Sequence, residues 1–221
     1  NFDNALGYLE QIKDADMTPD VRFQLGLTYA TNPENQQKAI KTFTELREID
    51  SSYAGLYEPL AQLYLNTHEP KKALVTYQEG IAVDPFNAKF YQEGAKIAAE
   101  LDENEQANAL YKEGLANNPA DSILVTSYSD FLVKTGNDID NINLLNDFFD
   151  NDDTDVNPQL YWNLAQSYTA LEDFEMATKY WRAALPFFMD QPDFLKPAYY
   201  YFRGEGEREL ALQALQQYVK L

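Results

Sequence analysis

His68 is the single histidine in 221 residues, and the chain has no cysteine. A metal or nucleophile site needs partners of the right type, and no second His or Cys exists to complete one around it. His68 falls in a turn, where an exposed polar residue is ordinary, and that is the role expected of it. The stretch Asp147-Phe-Phe-Asp-Asn-Asp-Asp-Thr-Asp155 has the carboxylate density of a calcium loop. It lacks the glycine and the closing glutamate of an EF-hand, so a solvated connecting loop is expected instead. Glycine follows Tyr-Gln-Glu or Tyr-Lys-Glu three times, at Tyr77–Gly80, Tyr91–Gly94 and Tyr111–Gly114. A phosphate-cradling loop, a hinge or a close helix contact would each use such a glycine. The residues before Gly80 and Gly114 are long helical side chains rather than a strand, which rejects the phosphate loop. No G-x-x-x-x-G-K-[ST], G-x-S-x-G or H-E-x-x-H occurs. No catalytic, cofactor-binding or metal-binding residue is assigned, and the chain is expected not to be an enzyme. An all-helical enzyme with an acid pair would instead need acids clustered around a closed pocket.

Composition narrows the partners. Seventeen basic against 36 acidic residues give a net charge of −19, and 45% of residues are apolar, a folded rather than disordered profile. Nucleic acid and anionic membranes are disfavoured partners, because both require clustered Lys and Arg. No apolar run reaches the ~18–20 residues of a membrane span. The absence of cysteine is compatible with a reducing cytoplasm, the location expected. Charge is uneven: between Lys134 and Lys179 lie ten acids and no base, in 44 residues. Solubility and repulsion account for such a run; the sharper reading is an electronegative surface that steers a basic partner.

Residues recur at a period of 34. Ala73 and Ala107, Tyr77 and Tyr111, Gly80 and Gly114, and Pro85 and Pro119 are each 34 apart. In one expected helix of each unit a small column runs Gly26, Ala61, Ala95, Ser129, Ala165; its partner helix carries Ala39, Ala73, Ala107, Ala177, Ala211. Two antiparallel helices approach closely only through small side chains. Aromatics such as Tyr57, Tyr77, Tyr111 and Trp181 fill the space between successive hairpins, and a Pro after the second helix stops it. The fourth unit fits worst, with Asn141 and Phe148 in columns that should be small.

This pattern resembles the tetratricopeptide repeat family, best at Tyr57, Leu60-Ala61, Tyr64, Ala73, Tyr77, Gly80 and Pro85, and again at Tyr161, Leu164-Ala165, Tyr168, Ala177, Trp181 and Ala184. The stretch Asn4 to Ile12 also resembles the cytoplasmic repeat proteins of low-GC Gram-positive bacteria, the YpiA type. The resemblance implies an all-α, right-handed superhelical solenoid of about thirteen helices. Its expected divisions are a second helix of a truncated repeat at 1–18 and six repeats at 19–53, 54–87, 88–121, 122–157, 158–191 and 192–221. Phe2 to about Lys13 reads as a helix without its partner. Glu207–Leu221 reads as a second helix with no cap after it. A segment of a longer repeat protein is therefore expected.

In the family, first helices line a groove. Carrying its ligand-facing columns over residue by residue gives Glu58 with Gln62, Gln92 with Lys96, Thr126 with Asp130, Trp162 with Gln166, and Lys196 with Tyr200. Each pair is spaced i,i+4 and shares a helix face. Trp162 adjoins the packing ring Tyr161 and must point about 100° away from it, either into the groove as an anchor or onto the neighbouring unit. The family's clamp for a chaperone's C-terminal carboxylate uses Lys and Asn, where this chain has Glu58/Gln62 and Gln92/Lys96. Glu58 would repel such a ligand. The resemblance thus implies a non-enzymatic scaffold, without cofactor, binding a protein or peptide of mixed or basic character. The alternative is a peptide-signal sensor regulating an attached DNA-binding or effector domain.

Overall fold

The computed structural model describes residues 7–12, 17–151 and 157–221. Among the described residues it is all-helical, with no strand. Twelve α-helices are complete there: α1 Pro19–Ala30, α2 Gln36–Ile49, α3 Tyr57–Asn66, α4 Pro70–Val83, α5 Ala88–Glu100, α6 Asn104–Asn117, α7 Ser122–Lys134, α8 Asp138–Asn151, α9 Pro158–Ala170, α10 Phe174–Ala184, α11 Pro192–Gly204 and α12 Arg208–Tyr218. A further helical turn occupies 7–9, and the rest of the lone helix expected over Phe2–Lys13 lies largely outside the described residues. Residues 152–156 of the acidic run are likewise outside them; Asp147 and Asp150 belong to α8.

Local sequence sets the helix ends. Pro19, Pro70, Pro158 and Pro192 open their helices at a position where a missing N–H costs nothing. The Thr18, Asp121, Asn157 and Asp173 side chains accept from backbone N–H groups of the first turn. Five hairpins turn in the same way. His68, Asp102, Gly136, Glu172 and Gly206 all have positive φ, between 60° and 78°. In each case the next N–H reaches back over the turn: Glu69 to Tyr64 O, Glu103 to Ala98 O, Asn137 to Leu132 O, Asp173 to Tyr168 O and Glu207 to Phe202 O, at 2.8–3.0 Å. This is a Schellman-type stop repeated along the chain. His68 is thus a turn residue whose φ, not its imidazole, is what the fold uses. The first hairpin departs from the pattern, with a 3-10 turn at Pro33–Asn35.

The chain divides into two compact units, 1–119 and 120–221. In the first, the hairpins α1/α2, α3/α4 and α5/α6 stack through α2 on α3 and α4 on α5. Ala39, Ala73, Ala107, Ala61 and Ala95 are completely buried, as close helix approach requires. A side-chain carbon on Gly26 would lie 2.7–3.0 Å from the Phe43 ring, and one on Gly80 would lie 3.0 Å from both Phe90 and Tyr57 Cβ. These two glycines let α1 and α4 pack under aromatic rings. Gly94 differs, since a carbon there would meet Leu110 and Tyr77 only at ordinary distance, 3.6 Å.

The second unit holds α7/α8, α9/α10 and α11/α12, with α9 against both α7 and α8. Its fourth-repeat irregularity has a physical account. Asn141 is completely buried; it accepts from Ser129 Oγ (2.7 Å) and donates to Ser167 Oγ (3.0 Å) and the Asn163 carbonyl (3.4 Å). Asn163 in turn donates to Ser129 Oγ at 2.8 Å. Small apolar contact is replaced here by a satisfied polar seam through three helices.

Candidate protein-binding groove

In the first unit the first helices of the hairpins border a cavity of about 570 Å³. Its walls are Phe23 and Leu27 from α1, Ala54 and Gly55 from the turn before α3, Glu58, Pro59 and Gln62 from α3, and Asp84, Asn87 and Phe90 around the start of α5. The space exists because positions 54 and 55 carry almost no side chain. The Phe23 ring is held from behind by Phe43 (5.8 Å between centroids) and Tyr53 (5.1 Å), and the Tyr53 hydroxyl donates to Asp20 at 3.0 Å. The apolar wall is therefore braced. Glu58 accepts a hydrogen bond from Lys89, and that carboxylate holds the Lys89 ammonium above the usual lysine range.

Of the four groove residues expected in this unit, Glu58 and Gln62 line the cavity together. Gln92 and Lys96 sit further along α5, and Lys96 pairs with Glu93 at 3.3 Å on its own helix. Behind the cavity, Tyr77 is buried, which raises its pKa, as do the nearby Glu93 and Glu58 charges.

The second unit carries the other six. Thr126 donates to the Ser122 carbonyl (2.7 Å) and accepts from Asn157 (3.2 Å). Asp130 accepts from Asn163 (2.7 Å) and Gln159 (3.4 Å), so its carboxylate is tied to the edge of the polar seam. Trp162 meets Phe188 and Phe194 edge-on, with centroids 5.3 and 5.2 Å away. The ring thus packs on the following hairpin, and among the described residues its buried Nε1 has no hydrogen-bond partner. Gln166 is half-buried, Lys196 is exposed, and Tyr200 is 59% exposed beside Tyr199. An aromatic cluster underlies them: Trp181 stacks on Tyr201 at 5.6 Å and donates to Thr169 at 3.0 Å.

Residues 158–221 match the family described as YpiA-like, C-terminal tetratricopeptide repeats. Solved structures match over most of the chain. One is a tetratricopeptide repeat protein from Parabacteroides merdae, with TM-score 0.70, 11% identity, and coverage of 91% of this chain and 79% of that one. The chain shares the fold of these repeat proteins, and its residues 158–221 match the YpiA-like tetratricopeptide repeats. PilF of Pseudomonas aeruginosa matches the chain at TM-score 0.66 and 19% identity, covering 94% of it and 98% of PilF. YrrB, described as a TPR protein with an unusual peptide-binding site, matches at 0.62 and 15%, covering 97% of each chain. At such identities the likeness is one of fold. The comparison with curated proteins gives no match.

Knowing the repeat, the overlooked cavity residues become intelligible. Phe23 and Leu27 are an i,i+4 apolar pair on α1 that lies off the packing positions Leu25, Gly26 and Tyr29. That surplus apolar pair was the available signal. Asp84 and Asn87 had none, because their place in the cavity depends on how α4 hands over to α5. Among the described residues no group of three or more His, Cys, Asp or Glu could hold a metal ion. Among them, too, no helix is long and apolar enough to cross a membrane.

Proposed function

We propose that this chain is a protein-interaction scaffold that holds a peptide or protein segment along its first helices. The observation that carries the reading is the cavity bordered by α1, α3 and α5, whose apolar walls and acidic members suit an extended segment better than a small metabolite. Its volume lies within the usual range of binding sites, and among the described residues no metal-ligating cluster accompanies it. Within the first unit Gln92 and Lys96 are proposed as further contacts; in the second unit Thr126, Asp130, Gln166, Lys196 and Tyr200 are proposed as contacts of its own, with Tyr200 the exposed ring available as an anchor, while Trp162 packs inward. YrrB, of the same fold, is described as having a peptide-binding site, which supports a peptide as the ligand class.

A net charge of −19 favours a partner with basic character, whose capture weakens as salt rises. The test is affinity capture with the chain from its source organism. A cavity-filling variant, Gln62→Trp, is compared with Lys112→Trp on the exposed side of α6. Loss of the captured partner with the first variant alone is expected. Equal recovery with both, from folded proteins, would refute the groove assignment.

A further inference from the structure

The cavity of the first unit has an electrostatic asymmetry that specifies its ligand more closely. Two carboxylates line it. Glu58 is already matched by Lys89, whose ammonium donates to Oε1. Asp84 is half-buried at the end of α4, where its backbone N–H donates to the Gly80 carbonyl at 2.8 Å. Among the described residues, no hydrogen bond or ion pair engages its carboxylate. Much of the rest of the lining is apolar, including Phe23, Leu27 and Pro59, with Gly55 contributing no side chain. A carbon added at Gly55 would stand 3.3 Å from the Tyr53 ring and 3.6 Å from the Phe23 ring, so even a methyl group there crowds the apolar wall.

We propose that this cavity receives a short peptide segment in which a large apolar side chain adjoins a lysine or arginine. The apolar group packs against Phe23, Leu27 and Pro59, and the cation meets Asp84. The proposal rests on the groove reading above and names the chemistry of its ligand. Burying apolar walls requires an apolar occupant. A half-buried carboxylate without a partner favours a cation beside it, and an acidic segment would be repelled by both Asp84 and Glu58.

The test is an NMR titration of the isotope-labelled chain with three acetylated, amidated peptides, GSFKSG, GSFMSG and GSFESG. Shifts are expected at the amides of Leu27, Gly55, Gln62 and Asn87, with the lysine peptide preferred over the methionine peptide about three- to tenfold. Asp84→Asn should remove that preference and Asp84→Glu should retain it, at unchanged melting temperature. Lys89→Met, which releases Glu58, should increase it. A preference that survives Asp84→Asn, or shifts confined to other surfaces, overturns the proposal. Absence of binding by all three peptides also overturns it. If Gln62→Trp still abolishes capture of the natural partner in that case, the groove reading stands without this ligand. If it does not, both fall.

Discussion

The hairpins of the first unit and the α7/α8 hairpin of the second close by different means. In the first, helices meet through glycine and alanine under aromatic rings: Gly26 beneath Phe43, and Gly80 against Tyr57 and Phe90. In the second, the equivalent approach of α7 and α8 runs through Ser129 and Asn141, which hydrogen-bond each other and continue to Ser167 on α9. An apolar seam tolerates no added volume, since neighbouring atoms already stand at contact distance. A polar seam tolerates no missing partner, since a buried group left unpaired carries its full desolvation penalty. One repeat architecture thus fails in two distinct ways.

The largest effect expected is at Gly80. Leucine there must displace Phe90 or Tyr57, and a loss of about 3 kcal/mol is predicted, read as a fall in the urea midpoint. Next is Asn141→Ala, predicted to cost about 2 kcal/mol by removing the acceptor of the Ser129 hydroxyl and the donor to Ser167 Oγ. The comparison is sharpened by the triple variant Ser129→Ala, Asn141→Ala, Ser167→Ala. It removes both sides of these bonds and should recover most of the loss, because Asn163 keeps Asp130 and Gln159. If the triple variant is less stable than Asn141→Ala alone, the seam is held by something other than mutual satisfaction. Gly94→Ala should stabilise the first unit by about 0.5–1 kcal/mol, since its site accepts a methyl group and a helical glycine is unfavourable.

The smallest effect is alkaline. Burial, with the Asp140 charge adding, pushes Tyr128 up to about 12 from its ordinary 10.0. Its folded pKa is raised, so the unfolded chain loses that proton first. The contribution is complete below about pH 10 and declines as pH rises toward 12. Tyr128→Phe should flatten the decline in urea stability measured from about pH 8 to about pH 11; an unchanged slope assigns it to other groups.

Much of this was legible in the sequence wherever one column maps onto one contact. The buried alanines and the glycines at 26 and 80 follow from residue type and period alone. Where two columns changed together, the sequence looked merely irregular. Asn141 broke the small-residue pattern, and only its facing serine turned that break into a hydrogen bond. Trp162 could have pointed to solvent or to the next hairpin, and its register alone could not choose. The Phe188 and Phe194 rings that receive it belong to a different stretch of chain. Asp84 was invisible for the same reason, because its neighbours across the cavity come from α1 and α3.

The most direct test of the scaffold reading is the affinity of the captured partner, measured by titration calorimetry against wild type, Gln62→Trp and Lys112→Trp. The account predicts a dissociation constant raised at least about tenfold by filling the cavity, about 1.4 kcal/mol, and unaltered by the control. Equal affinity for all three, with melting temperatures preserved, would contradict it.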